Sequence, residues 1–268
     1  MKKMAILGCG WLGLPLAKYF TSKGYIVKGS TTSIEKIEIL KSFSIEPFII
    51  SLMENKIEGD INTFLNNAEV LIIDIPPKLR GINKENFVQK IKNIIPHIEK
   101  STIKKLLFIS STSVYADTEN LPIVTEETVP NPDTESGKQL YEVEQILQNN
   151  TQFKTTILRF GGLIGANRNP INMLAGRTDV ANPEAPINFI HQTDCIGVIE
   201  AILNQNSWNE IYNAVGLEHL LRKNYYSEKA KELGLTPPQF NLEKINLGKY
   251  VSNAKIKNQL GYTFKVIA

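Results

Sequence analysis

Apolar and polar positions follow two rhythms through the first 160 residues. Short apolar runs at 4–7, 25–30, 46–52, 70–75, 105–110 and 155–160 read as strands. Between them, 14–22, 34–43, 61–65, 84–99 and 136–149 place apolar residues at helical spacing. In 84–99 the residues Phe87, Val88, Ile91, Ile94, Ile95 and Ile98 share one face, and Pro96 is expected to bend the last turn. Strands alternating with amphipathic helices predict a parallel sheet with helices on both faces. After residue 160 the rhythm changes. Strands shorten, and turns such as Asn169-Pro170 and Pro237-Pro238 become frequent. No internal repeat or low-complexity segment interrupts the chain.

The first strand runs into Gly8-Cys9-Gly10-Trp11-Leu12-Gly13, a G-x-G-x-x-G turn that opens the first helix. That context is what a dinucleotide-binding turn requires. Gly8 permits the tight turn, Gly10 lets the backbone approach a pyrophosphate, and Gly13 lets helix and strand pack closely. The N–H groups of Trp11, Leu12 and Gly13 at the helix start then face the phosphates, helped by the helix dipole. Pro15 is tolerated in the first helical turn, where N–H groups have no intrahelical partner. The bland alternative is a glycine turn that holds no ligand. Together with the alternation, the turn predicts an α/β fold, a Rossmann-type doubly wound parallel sheet with a small C-terminal substrate lobe. Residues 1–165 are expected to form the dinucleotide-binding domain. Residues 166–268 are expected to supply the lobe and to return elements to the main sheet.

An acid at the end of the second strand would hold the ribose 2′-OH of NAD. Here the segment is Lys28-Gly29-Ser30-Thr31-Thr32-Ser33, with no acid. The hydroxyls of Ser30, Thr31 and Thr32, with Lys36 nearby, suit a 2′-phosphate, so NADP is preferred over NAD. A plain turn and helix cap is the competing reading, because Thr32 or Ser33 precedes an amphipathic run.

Charge and composition narrow the field. The chain has 268 residues, 42% of them hydrophobic, and a formal net charge of +3 at pH 7. That supports a real core and argues against nucleic acid or an anionic membrane as partner. Cys9 and Cys195 cannot build a disulfide framework, and with His97, His191 and His219 far apart no metal site is expected. The Lys2-Lys3 start and the run to Ala17 imitate a signal peptide, but glycines interrupt a run that is too short. A cytoplasmic protein without a membrane span is the expectation.

Further segments carry a family resemblance. Phe108-Ile109-Ser110-Ser111-Thr112-Ser113-Val114-Tyr115, Leu158-Arg159-Phe160-Gly161-Gly162-Leu163-Ile164-Gly165, and Ile187-Asn188-Phe189-Ile190-His191-Gln192-Thr193-Asp194 occur in that order. Ile211-Tyr212-Asn213 and Leu260-Gly261-Tyr262 follow. Over essentially its whole length the chain resembles extended short-chain dehydrogenases/reductases, the NAD-dependent epimerase/dehydratase group. The resemblance implies that Ser110 and the Phe160-Gly161-Gly162 segment lie beside the cofactor, and that Ile75 and Pro76 pass its ribose and pyrophosphate. It places Ser111 where the family uses Ser or Thr to orient the substrate oxygen. The family's Tyr-x-x-x-Lys pair is replaced: Ser136 stands at the Tyr position and Leu140 at the Lys position. Ser136-Gly137-Lys138 and Ala175-Gly176-Arg177 are similar to an atypical subgroup without that pair.

The remaining candidates each have a structural alternative. Lys138, in the first turn of its helix, is the substitute cation or a solvated charge. Tyr115 lines the pocket or packs as a structural aromatic. Tyr141 belongs to the apolar stripe with Leu140, Val143 and Leu147. Arg177, with Asn172, is a substrate anion clamp or a surface arginine. His191 faces substrate or serves structure, and Asp194 is expected to cap a helix starting at Cys195. Two functions follow: an NAD(P)-dependent oxidoreductase, epimerase or dehydratase on a small polar or sugar-like substrate, or a dinucleotide-binding sensor without turnover. A homodimer through the helices at 84–99 and 136–149 is also expected.

Overall fold

The computed structural model describes residues 2–77, 79, 85–216 and 219–266. The alternation appears as β1 (Lys3–Leu7), α1 (Gly13–Ser22), β2 (Ile26–Thr31), α2 (Lys36–Ser42), β3 (Glu46–Ile49), α3 (Ile61–Leu65), β4 (Val70–Ile73), α4 (Phe87–Glu99), β5 (Lys105–Ser111), α5 (Glu135–Gln148) and β6 (Lys154–Phe160). Later come α6 (Gln192–Asn204), β7 (Ile211–Ala214), α7 (Arg222–Glu232) and α8 (Ala254–Leu260). The main sheet has seven strands in the order β7-β6-β5-β4-β1-β2-β3. The fold is the expected α/β, Rossmann-type parallel sheet.

The strands are apolar on both sides because the sheet is covered on both. Met4, Ala5, Ile6 and Leu7 of β1 are all buried. Ala5 is in register with Lys28 of β2 on one flank and Leu71 of β4 on the other, both parallel. The chain runs outward from β1 to β3 and then returns to β4 on the other side of β1. That reversal is the switch point at which doubly wound sheets bind ligands, beyond the carboxyl ends of their strands.

Helix boundaries follow local chemistry. Asn86 caps α4 by accepting the Gln89 N–H at 3.0 Å, and Asp60 caps α3 by accepting the Thr63 N–H at 3.0 Å. Lys84, where the pattern started α4, lies outside the described residues. Phe87, Val88, Ile91, Ile94 and Ile98 of α4 are buried. Their burial contributes on the order of 10 kcal/mol gross. Pro96 sits inside α4, and the helix still runs to Glu99. The solvent-facing positions of α4 and α5 include Gln89, Lys92, Glu99, Glu142, Gln145 and Gln148, and Lys92 pairs with Glu142 at 3.2 Å. The strand expected at 46–52 stops at Ile49. Ser51–Leu52 instead pairs antiparallel with Ile57–Glu58, because the Met53 N–H bonds to the Lys56 carbonyl and closes a tight turn.

By internal contacts the chain divides into two interleaved units. One comprises Met1–Ser111, Glu135–Leu158 and Asn206–Ile211; the other comprises Thr112–Thr134, Arg159–Gln205 and Tyr212–Ala268. The second unit has its own apolar cluster of Ile171, Ile187, Tyr225, Tyr226 and Ala230. It also holds two short parallel ladders, Gly162–Ile164 with Phe189–His191 and Ile123–Val124 with Tyr250–Val251. Among the described residues no helix is long and apolar enough to cross a membrane. Nor do any three His, Cys, Asp or Glu side chains among them come close enough to hold a metal ion.

Candidate functional site

In the first unit the glycine turn links the carboxyl end of β1 to α1. Gly8 has φ +108°, and a Cβ there would lie 2.3 Å from the Asp74 carbonyl oxygen and 2.9 Å from a methyl of Ile75. A Cβ on Gly13 would lie 2.1 Å from the Gly8 carbonyl oxygen. Real Cβ atoms do not approach so closely, so packing alone demands glycine at both positions. Gly10 differs. It is exposed, its φ lies outside the left-handed region, and a Cβ there would meet nothing among the described residues within 4 Å. Trp11 is half-buried, whereas Leu12 is buried in the core and can offer a ligand only its backbone. Leu12, at the N-cap position of α1, makes no side-chain cap of its own.

The end of β2 braces this turn. The Gly8 N–H donates to the Ser30 hydroxyl at 2.9 Å, and the Cys9 N–H donates to the Ser30 carbonyl at 2.7 Å. The Ser33 N–H donates to the Thr31 hydroxyl at 3.1 Å. Each hydroxyl accepts from the chain and keeps its own proton to donate. Thr32 is exposed and Lys36 half-buried. Burial pushes the Cys9 thiol up to about 12, with help from the Asp74 charge. Cys9 is therefore a packing residue. Ile75 is half-buried and Pro76 exposed just after β4.

Ser110 and Ser111 end β5. Ser110 is buried, and its hydroxyl donates to the Glu144 carboxylate of α5 at 2.5 Å. That hydroxyl proton goes to a buried acid, which braces β5 on α5. Ser111, next along the strand, points to the opposite face and is half-buried. On α5, Lys138 is exposed in the first turn, Ser136 is half-buried and Leu140 is buried.

The second unit holds the other candidates. Tyr115 is 1% exposed and Arg159 2% exposed. The Tyr115 hydroxyl accepts from Arg159 at 2.5 Å, and it lies 2.9 Å from the Thr125 carbonyl and 3.2 Å from Asn213 Oδ1. The Asn213 N–H donates to Glu126 at 2.7 Å, while the buried Asn213 Nδ2 has no partner among the described residues. Burial raises the Tyr115 pKa, opposed by the Arg159 charge, and burial also raises that of Glu126. Lys249 donates to the Tyr115 carbonyl and to Asp117, each at 2.7 Å. Tyr115 is thus a buried structural hydroxyl rather than a pocket-lining one.

Phe160 is buried at the end of β6. A Cβ on Gly161 would lie 2.2 Å from the Asn188 carbonyl oxygen, and one on Gly162 would lie 2.5 Å from the Phe189 ring. Their N–H groups donate to the carbonyls of Ala214 and Asn188. Packing therefore accounts for both glycines without a ligand. Arg177 is exposed in a loop. His191 caps α6, its Nδ1 accepting the Thr193 N–H at 3.2 Å. This corrects the cap expected from Asp194. Asp194 is buried and instead accepts from the Tyr262 hydroxyl and the N–H groups of Lys265 and Val266.

Four features escaped the sequence reading: Asp74, the buried Glu144, the buried cation Arg159 and the tail contacts of Asp194. The first had a signal, an acid directly after an apolar strand. The others depend on contacts distant in sequence.

No protein-family model matches the chain. Protein YeeZ of Escherichia coli (strain K12) is 34% identical over 267 residues, which cover 99% of this chain and 96% of that protein. Among solved structures, UDP-N-acetylglucosamine 4-epimerase from Bacillus cereus matches with TM-score 0.79 and 19% identity, over 100% of this chain and 92% of that one. UDP-glucuronic acid 4-epimerase from Bacillus cereus, in complex with UDP-glucuronic acid and NAD, matches with TM-score 0.79 and 19% identity, over 99% and 95%. The fold is that of the epimerase/dehydratase and short-chain dehydrogenase/reductase proteins.

Proposed function

The chain belongs to the family of Protein YeeZ of Escherichia coli, and from that premise we propose an NAD(P)-dependent enzyme: an oxidoreductase, epimerase or dehydratase acting on a small polar, sugar-like substrate. Gly10 carries this reading. The fold itself explains Gly8 and Gly13, but among the described residues nothing lies within 4 Å of where a Cβ on Gly10 would stand. A bare backbone at that point serves a ligand that comes close, as a pyrophosphate does. In this reading residues 1–165 carry the nucleotide role and residues 166–268 substrate selectivity.

A bound NAD(P) supplies a hydride donor or acceptor at its nicotinamide C4. The turn's N–H groups and the start of α1 hold its phosphates. Ser30 and Thr31 keep hydroxyl protons to donate, and Thr32 and Lys36 complete a segment that favours the 2′-phosphate of NADP. Ser111 orients the substrate oxygen. Lys138, or a water it positions, handles the proton. Arg177 and His191 stay as substrate contacts of lower rank, one exposed and the other already capping a helix. A homodimer through α4 and α5 would use a polar surface, which a solution mass at micromolar concentration checks.

The test is titration with NADPH and NADH, followed by an absorbance screen of nucleotide sugars, aldehydes and ketones. Ser111→Ala and Lys138→Ala are expected to lower kcat by about 10²–10⁴ with the cofactor Kd unchanged. The second reading is a sensor that binds dinucleotide without turnover. It is favoured by Leu140, buried where the family's catalytic Lys would stand. Tight binding with no turnover across the panel would select it.

A further inference from the structure

Asp74 follows β4 directly, and its carboxylate lies against the first turn of α1. Its Oδ2 is 3.0 Å from the position a Cβ would take on Gly13. Its backbone is fixed there as well: the N–H donates to the Leu7 carbonyl at 2.9 Å, and the carbonyl packs under Gly8. The carboxylate charge also reaches Cys9, the second residue of the turn. The α1 start assigned to a pyrophosphate therefore already has an anion of the chain's own beside it. A helix N-terminus stabilises an anion from either source, but two anions sharing one end repel.

We propose that Asp74 is an affinity-setting residue of the dinucleotide site: it stabilises the empty turn and weakens binding of the phosphates. The proposal rests on the dinucleotide reading above. Its functional sense is exchange. An epimerase regenerates its dinucleotide at each turnover and has no use for weak binding. An enzyme of net oxidation or reduction must release the spent cofactor each time. Asp74 therefore favours net redox chemistry, with the dinucleotide as an exchanging cosubstrate.

The experiment compares wild type with Asp74→Asn, Asp74→Ser and the charge-conserving Asp74→Glu, using the full chain. Kd for NADH and NADPH and the melting temperature of the ligand-free protein are measured. Both neutral variants should bind both dinucleotides about fivefold tighter or more, the water-screened effect of one unit charge about 4 Å from another. Ligand-free, they should melt roughly 1–4 °C lower, because α1 loses its N-terminal anion. Asp74→Glu should keep the weaker binding. Unchanged or weaker binding by the neutral variants, with wild type binding normally, overturns the proposal alone. Ligand-free neutral variants that melt at or above wild type overturn it too. Failure of every protein to bind either dinucleotide at millimolar concentration overturns the dinucleotide reading and this proposal with it.

Discussion

The glycine turn and the Tyr115 network are both places where ligand chemistry could be read from sequence, and they are built in opposite ways. The turn exposes backbone and carries few side-chain functions, and at 8 and 13 a Cβ would come within 2.3 and 2.1 Å of a backbone oxygen, so only glycine fits. The network gathers a phenol, a guanidinium, an amide and a carboxylate, yet Tyr115, Arg159 and Asn213 are all buried. Tyr115, Arg159 and Glu126 find partners within it, while the buried Asn213 Nδ2 has none among the described residues. The turn's open position, Gly10, is where nothing among the described residues accounts for the residue. Function shows in what the fold leaves unexplained rather than in how many reactive groups meet.

The strongest way to break this comparison is at the turn. Gly13→Ala drives a methyl into the Gly8 carbonyl, so it should cost about 3 kcal/mol or more by denaturant unfolding. A loss within experimental error would mean the turn yields, and that its glycines carry no packing demand.

A smaller effect is expected in the network. Tyr115→Phe removes one acceptor of the buried Arg159, and should cost about 1–3 kcal/mol while leaving dinucleotide Kd unchanged. A selective fall in kcat without loss of stability would instead return Tyr115 to the chemistry.

The smallest effect is a pH dependence. Burial raises the Glu126 pKa above its unfolded value. The neutral form is therefore favoured in the folded protein, and that stability is lost as pH rises through the folded pKa. Glu126→Gln keeps an oxygen for the Asn213 N–H and removes the charge. Its melting temperature relative to wild type should rise between pH 4 and pH 7. A difference independent of pH would show that Glu126 is not held toward neutrality.

The parts legible in sequence were those fixed by local rules. Apolar strands flanked by amphipathic helices produce the sheet, and strand–turn–helix context identifies Gly8, Gly10 and Gly13. Ser30 was recognised as part of the turn's surroundings, though not as the acceptor for Gly8. Other residues depend on distant partners. Asp194 looked like a cap because it stands near a helix start. Its actual partners lie about 70 residues on, at Tyr262, Lys265 and Val266. Ser110, expected beside the cofactor from its motif, also has a partner 34 residues away, Glu144 on α5. Gly161 and Gly162, expected beside the nicotinamide, are also demanded by packing against Asn188, Phe189 and Val215.

The central claim is that the turn binds a dinucleotide through the bare backbone at Gly10. The most direct measurement is the Kd of NADPH for wild type and Gly10→Ala, with melting temperature recorded beside it. A methyl at Gly10 meets no atom of the described residues within 4 Å, so melting temperature should not change, while affinity should fall at least about tenfold as the methyl blocks the pyrophosphate. Equal affinity in the two proteins, with folding intact, would contradict the account.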